Sequence, residues 1–158
     1  MNLEFALLLV LGIGIVAGLR TMTAPTVVAW AAHLGWINLS GSHLAFMGSI
    51  WVAAIFTLGA LGEFVFDLLP NTPPRTGARG LTCRIITGSL AGACLGLAGG
   101  LSPWLGALLG IVGAMAGAFG GYHARAGLVR SLGVPDAVIA IPEDLLAIGL
   151  GLLLVSRF

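Results

Sequence analysis

The sequence predicts an all-α integral membrane protein: a compact, glycine-rich bundle of about five transmembrane helices, with one or two short interfacial or re-entrant helices beside them. Three observations carry this prediction. Hydrophobic residues make up 58% of the chain and charged residues 8%, where a soluble domain carries roughly 25% charged residues. Mean hydropathy is +1.07. Glycine occurs 25 times in 158 residues, and small residues are what let helix backbones approach closely in lipid. At about 20 residues per crossing the length supplies four to six spans, so residues 1–158 read as a single transmembrane domain. A net charge of +1 gives no strong field to attract nucleic acid.

The first apolar run covers about Leu3 to Leu19 and stops at Arg20. The residues before it lack the positive charge that opens a signal peptide, so it reads as a retained helix. Thr21-Met22-Thr23-Ala24-Pro25 follows, then a short apolar stretch from Thr26 to Trp36 with Trp30, His33 and Trp36. A proline after a threonine suits the first turn of a new helix. That helix is too short to cross comfortably, so the tryptophans are expected at headgroup level.

Run two, about His43 to Leu69, is stopped by Pro70-Asn71-Thr72-Pro73-Pro74, and a polar loop with Arg75, Arg79 and Arg84 comes next. Run three, about Ile85 to Leu101, carries Gly88, Gly92, Gly96 and Gly100 on one helix face. Ser102-Pro103 turns the chain into run four, Trp104 to about Gly121, with a second set of glycines. Such ladders mark close helix contact, either inside the chain or along a seam between copies. Tyr122 to Gly133, with His123, Arg125 and Arg130, reads as interfacial. Run five, about Ala137 to Val155, has Pro142-Glu143-Asp144 in its first turns. Cys83 and Cys94 show no metal-ligand spacing and read as packing residues. No pattern assigns a cofactor or a metal.

Five crossings put the N-terminus, the Arg75/Arg79/Arg84 loop and the Arg125/Arg130 segment on one side. Arg20, the Ser102-Pro103 turn and Arg157 fall on the other. The arginine excess then places the N-terminus in the cytoplasm. A loose match between the segments beginning at Ala17-Gly18 and Ala116-Gly117 suggests an inverted repeat, since runs one and four would point in opposite directions.

The chemistry concentrates in four carboxylates within or against apolar stretches. An ionisable group at bilayer depth costs a few kcal/mol or more and so faces a partner, a cavity or a pathway. Glu63 and Asp67 are four residues apart, hence on one helix face. Glu63 precedes Pro70 by seven residues, which sets it about 10 Å inward at helical rise. Run two ends on the side where run five begins, so Glu143 and Asp144 enter near the same depth. Arg75, His123 and Arg125 belong to that side as well.

Three readings fit. The carboxylates and arginines could close helix ends as ion pairs in a structural or assembly protein. They could bind or couple a small solute or ion in a transporter or channel, with Arg20 and Arg75 as gating partners. They could hold a divalent ion beside a lipid or isoprenoid phosphate in an interfacial enzyme. The second is the expectation taken here. A bundle this small encloses little volume, so a homo-oligomer in contact with membrane lipids is expected, with the run-three ladder as candidate seam.

Gly18-Leu19-Arg20-Thr21-Met22-Thr23-Ala24-Pro25, Asp67-Leu68-Leu69-Pro70-Asn71-Thr72-Pro73-Pro74-Arg75-Thr76 and Pro142-Glu143-Asp144 together resemble an uncharacterised bacterial membrane family, domain of unknown function 4126. The resemblance covers most of the chain. It implies a small multi-pass protein of the bacterial inner (cytoplasmic) membrane, and it supplies no activity, substrate or site residue.

Overall fold

Run one folds as α1 (Leu3–Leu19) and ends where Arg20 adopts an extended backbone, φ −139° and ψ 117°. The computed structural model describes residues 2–67, 77–133 and 136–158; the side chains of Asp67, Asp136 and Ala137 lie outside that description. Among the described residues all regular structure is helical: α2 (Thr23–His33), a 3-10 turn (Ala45–Gly48), α3 (Ile50–Asp67), α4 (Ala78–Ala98), α5 (Pro103–Leu132) and α6 (Asp136–Val155). Ala78–Ala98, Pro103–Leu132 and Val138–Val155 are long and apolar enough to cross a membrane, whereas Leu3–Leu19 and Ile50–Phe66 are apolar but shorter.

Local chemistry explains where the helices stop. Gly35 takes φ +77°, and the amides of Gly35 and Trp36 reach back to the carbonyls of Ala32 and Ala31 at 3.3 and 2.8 Å. That left-handed residue with paired back-bonds satisfies the last carbonyls of α2. The same device recurs after α4, where Gly100 has φ +79° and Leu101 N–H bonds Gly96 O at 2.8 Å. Ser102 then caps α5, accepting from Leu105 N–H at 3.2 Å, with Pro103 at the first helical position.

Three elements depart in their bounds from the sequence expectation. α4 begins at Ala78 and ends at Ala98, so Arg79 and Arg84, expected in a polar loop, lie in its first two turns. α5 runs for 30 residues, about 45 Å, because Tyr122 to Leu132 holds no proline and Gly127 alone does not stop it, so the interfacial segment is a continuation of the helix. Helix α3 starts at Ile50 rather than His43, since residues 43–49 form turns and the 3-10 segment.

Direction follows from contacts. A Cβ placed on Gly14 would come 2.5 Å from Gly110 O, and one on Gly18 would come 2.7 Å from Gly117 Cα. Helices α1 and α5 are therefore parallel, which overturns the inverted relation expected between runs one and four. A Cβ on Gly96 would come 2.8 Å from Gly106 Cα, and one on Gly88 2.9 Å from Gly110 O, so α4 descends against both. Gly59 lies by Met22 and Trp30 by Thr57, which makes α2 and α3 antiparallel. Gly151 packs on Val16 and Val27, so α6 descends as well. The six helices alternate up and down, with "up" taken as the direction of α1.

Helix α2 is the origin of the difference. It is not laid at a headgroup surface; Ala24, Val27, Val28, Ala29 and Ala31 are buried and the helix runs back down beside α1. That extra reversal moves the start of α1 to the lower end and Arg20 to the upper one. The run-three glycines Gly88, Gly92 and Gly96 face Gly106 and Gly110 of the same chain, so they are consumed inside the bundle and form no seam between copies. Cys83 and Cys94 are unpaired on one helix, about 16 Å apart along its axis.

Val10, Ile13, Val16, Val28, Met47 and Leu95 fill the interior, while Trp51, Ile55, Leu58, Trp104, Leu108 and Leu145 stand on the outside. A contiguous apolar exterior of this kind is what acyl chains cover and water does not.

Candidate functional site

The break between α1 and α2 organises the upper end. Three residues, Arg20 to Met22, separate the two helices, and the extended Arg20 swings its side chain inward. Its Nε donates to Asp144 Oδ1 on α6 in a short charge-assisted bond. Both groups are 3% exposed, so neither is solvated and each depends on the other. The guanidinium carbon also lies over the Phe64 ring of α3, 5.5 Å from its centroid, a cation–π arrangement.

Glu63, one position before Phe64, serves a different purpose. Its two carboxylate oxygens accept the backbone N–H groups of Thr21 and Met22, each at 2.9 Å. Met22 caps α2 without a side-chain bond of its own, so a neighbouring helix supplies the anion that the positive end of α2 favours. Chain direction makes this possible, because α3 rises past the point where α2 begins.

On the other flank of α6, Glu143 Oε2 receives Arg125 Nη1 of α5 at a long 3.4 Å, with both side chains near one-tenth exposed. Gly121 leaves room for this carboxylate; a Cβ there would stand 3.4 Å from Glu143 Oε1. Adjacent positions on one helix thus send their carboxylates to opposite sides, because successive helical residues are rotated by about 100°.

Each pair borders a cavity. Arg20 and Asp144 line one of about 210 Å³ between α2, α3 and α6, walled by Thr23, Thr26, Thr57 and Phe64 with Val27, Ala60, Leu61 and Ile148. Arg125 and Glu143 line another of about 400 Å³, walled mainly by Leu19, Leu128, Leu132, Ile139 and Leu146. The hydroxyls of the smaller cavity are oriented. Thr26 donates to Met22 O at 2.6 Å, and Thr57 donates to Ala53 O at 2.7 Å while accepting Trp30 Nε1 at 3.0 Å.

The structure therefore brings together Glu63, Glu143, Asp144, Arg125 and Arg20 at one end, the last against the expectation that it lies on the far side. Asp67 closes α3 one turn above Glu63, and its side chain lies outside the described residues, as does all of Arg75. His123 is not part of the cluster: it is exposed, its Nδ1 lies 2.8 Å from Phe119 O on its own helix, and its ring meets Tyr122 edge-on. Arg84 is buried at the same end on α4. Among the described residues no three His, Cys, Asp or Glu side chains converge as a metal site would require. Thr57 and Phe64 were missed by sequence reasoning. Their spacing with Ala60 (57, 60, 64) marks one helix face, the signal that could have found them.

A family model described as "Domain of unknown function (DUF4126)" matches residues 7–156, and the chain belongs to that family. No curated protein and no solved structure matches it.

Proposed function

We propose that this member of the family moves a small solute or ion across a membrane, with the Arg20–Asp144 pair as the group on which passage acts. One arrangement supports the reading: a desolvated ion pair forms a wall of a hydroxyl-bearing cavity, at the point where the backbone leaves helical geometry. Ionisable groups held at bilayer depth beside a cavity are characteristic of substrate and ion pathways, and here they sit at the turn where α2 reverses against α1. Purified protein in liposomes should carry proton- or sodium-coupled flux, or uptake of a labelled small solute, that Asp144→Asn abolishes. Leakage equal to that of empty vesicles, in wild type and variant alike, refutes the proposal.

The arginine distribution supports an orientation opposite to the one expected from five crossings. Arg20, Arg79, Arg84, Arg125 and Arg130 belong to the upper end and Arg157 to the lower, so the upper end faces the cytoplasm of the inner membrane and α1 begins outside. In a cysteine-free background, Ser40→Cys on the lower loop should react with an impermeant maleimide added to intact cells. Labelling only after lysis reverses the assignment.

A structural role is the second reading, and Glu63 favours it. Its carboxylate is occupied by backbone amides and acts as a latch on the broken helix. We assign Glu63 to architecture and keep Asp144 as the candidate coupling group.

A further inference from the structure

From the wall chemistry of the 210 Å³ cavity we infer that it is a binding site for a small alkylammonium-type organic cation, held by Asp144 and Phe64 in competition with the protein's own Arg20. The inference rests on the transport reading for its purpose, and on the cavity alone for its ligand.

The lining hydroxyls set the polarity. Thr26 and Thr57 spend their protons on the carbonyls of Met22 and Ala53, so what they turn to a guest is oxygen lone pairs. Asp144 is likewise an acceptor when ionised. The Thr23 hydroxyl in the same wall can donate or accept, so apart from it and Arg20 the polar wall suits a hydrogen-bond donor. The aromatic wall agrees, since Phe64 already carries a cation on its face, held by the ring quadrupole.

The rest of the wall narrows the class further. Val27, Leu61 and Ile148 offer nothing to the coordination shell of a bare metal ion, which takes six to eight oxygens when it is calcium. An ion bearing its own methyl or methylene groups satisfies these walls and the acceptors together. The volume, about 210 Å³, is enough for a small amine.

Arg20 is then the resident cation. Its guanidinium already occupies the aromatic-plus-carboxylate position, and an arriving ammonium takes the carboxylate while Arg20 turns aside. Competition of this kind lowers the apparent affinity by the fraction of time Arg20 holds Asp144.

The test is a thermal melt of the detergent-solubilised full chain with ethylammonium chloride, against sodium chloride and sodium acetate at matched ionic strength. A ligand that binds only the folded form raises Tm with concentration. Ethylammonium should raise it where sodium and acetate do not. Phe64→Leu should weaken the effect, and Arg20→Gln should strengthen apparent affinity by about tenfold or more because the competitor is gone. If Arg20→Gln folds poorly, ethylammonium should restore its melt toward wild type.

Equal melts in all three salts, for both wild type and Arg20→Gln, overturn the assignment. So does protection by acetate. Vesicles that carry another solute while ethylammonium protects nothing leave transport standing and remove the cation site. Protection by ethylammonium with tight vesicles upholds the site and removes transport.

Discussion

The molecule holds itself together in two different ways. Helices α1, α4 and α5 meet backbone to backbone through Gly14, Gly18, Gly88, Gly92, Gly106, Gly110, Gly113 and Gly117. Helices α2, α3 and α6 meet through side chains: a carboxylate on two amides, a guanidinium on a carboxylate and an indole on a hydroxyl. The first half gains dispersion from close approach, and its glycine contacts have no space to give. The second surrounds a cavity with a break in one of its chains, and hydrogen-bonded groups can exchange partners where interlocked backbones cannot. Lipid offers no hydrophobic force to press helices together, so each half needs its own adhesive. The comparison teaches that one half is held by interlocked backbones and the other by exchangeable polar contacts, with Arg20 at the end of α1 and Arg125 of α5 reaching from the first to carboxylates of the second.

The sharpest way to break the comparison is to add bulk to the rigid half. A Cβ on Gly110 would come 2.8 Å from the carbonyl carbon of Gly88 and 3.2 Å from Gly92 Cα. Both are backbone atoms that cannot rotate away, so Gly110→Leu must push whole helices apart. Overpacking a core costs about 1–3 kcal/mol where side chains can adjust, and here none can, so loss of the folded species is expected. Gly149→Leu on α6, with nothing within 4 Å, should be tolerated and gain about 1 kcal/mol from helix propensity. Size-exclusion profiles in detergent decide it, and equal profiles for the two variants would show that the glycine contacts are not what holds α1, α4 and α5.

The next effect belongs to the exchangeable half. Asp144→Ala removes the carboxylate that the Arg20 guanidinium meets across the bundle, and breaking a buried pair by removing one partner costs about 3–5 kcal/mol. Removing both charges, Arg20→Met with Asp144→Leu, should cost less than Asp144→Ala alone, because the guanidinium and the carboxylate it meets leave together. A double-mutant cycle on unfolding in mixed micelles measures the difference. Additive losses would mean that the two residues do not depend on each other, and the pair would no longer define a site.

Much of the fold was legible. Pro25 and Ser102-Pro103 are local signals that start α2 and α5 as read, whereas Gly35 and Gly100, read within apolar runs, take positive φ and end their helices. The shared depth of Glu63, Glu143 and Asp144 was legible too, since it needs only that run two end where run five begins. What could not be read was the pairing of Arg20 with Asp144, 124 residues away in sequence. It depends on whether residues 23–33 reverse the chain, and an 11-residue helix, about 16 Å long, is too short to count as a crossing by length. That single ambiguity moved Arg20 to the wrong end, reversed α1 and turned a parallel pair of helices into an inverted one. Buried contacts settle it: α2 enters the bundle because Val27, Val28 and Ala31 find a core there. Tyr122–Leu132 was misread for the opposite reason, because polarity was taken for an end of helix when nothing in the stretch breaks one.

The smallest effects separate latch from pathway among the carboxylates. Glu63→Gln keeps one oxygen for Thr21 N–H or Met22 N–H and turns an amide NH₂ toward the other, so one buried donor loses its acceptor. That loss is worth about 1–3 kcal/mol. Glu143→Gln removes the charge from a long 3.4 Å contact and keeps an amide oxygen to accept from Arg125, so a smaller loss, about 1 kcal/mol, is expected. Tm should therefore fall clearly for Glu63→Gln and less for Glu143→Gln. Flux completes the separation. Glu63→Gln should lose transport only in proportion to folded protein, whereas Glu143→Gln, if the 400 Å³ cavity belongs to the route, should lose transport while still folded. A stable Glu63→Gln protein without flux would move Glu63 from the architecture into the pathway, and the division between the two halves would have to be drawn again.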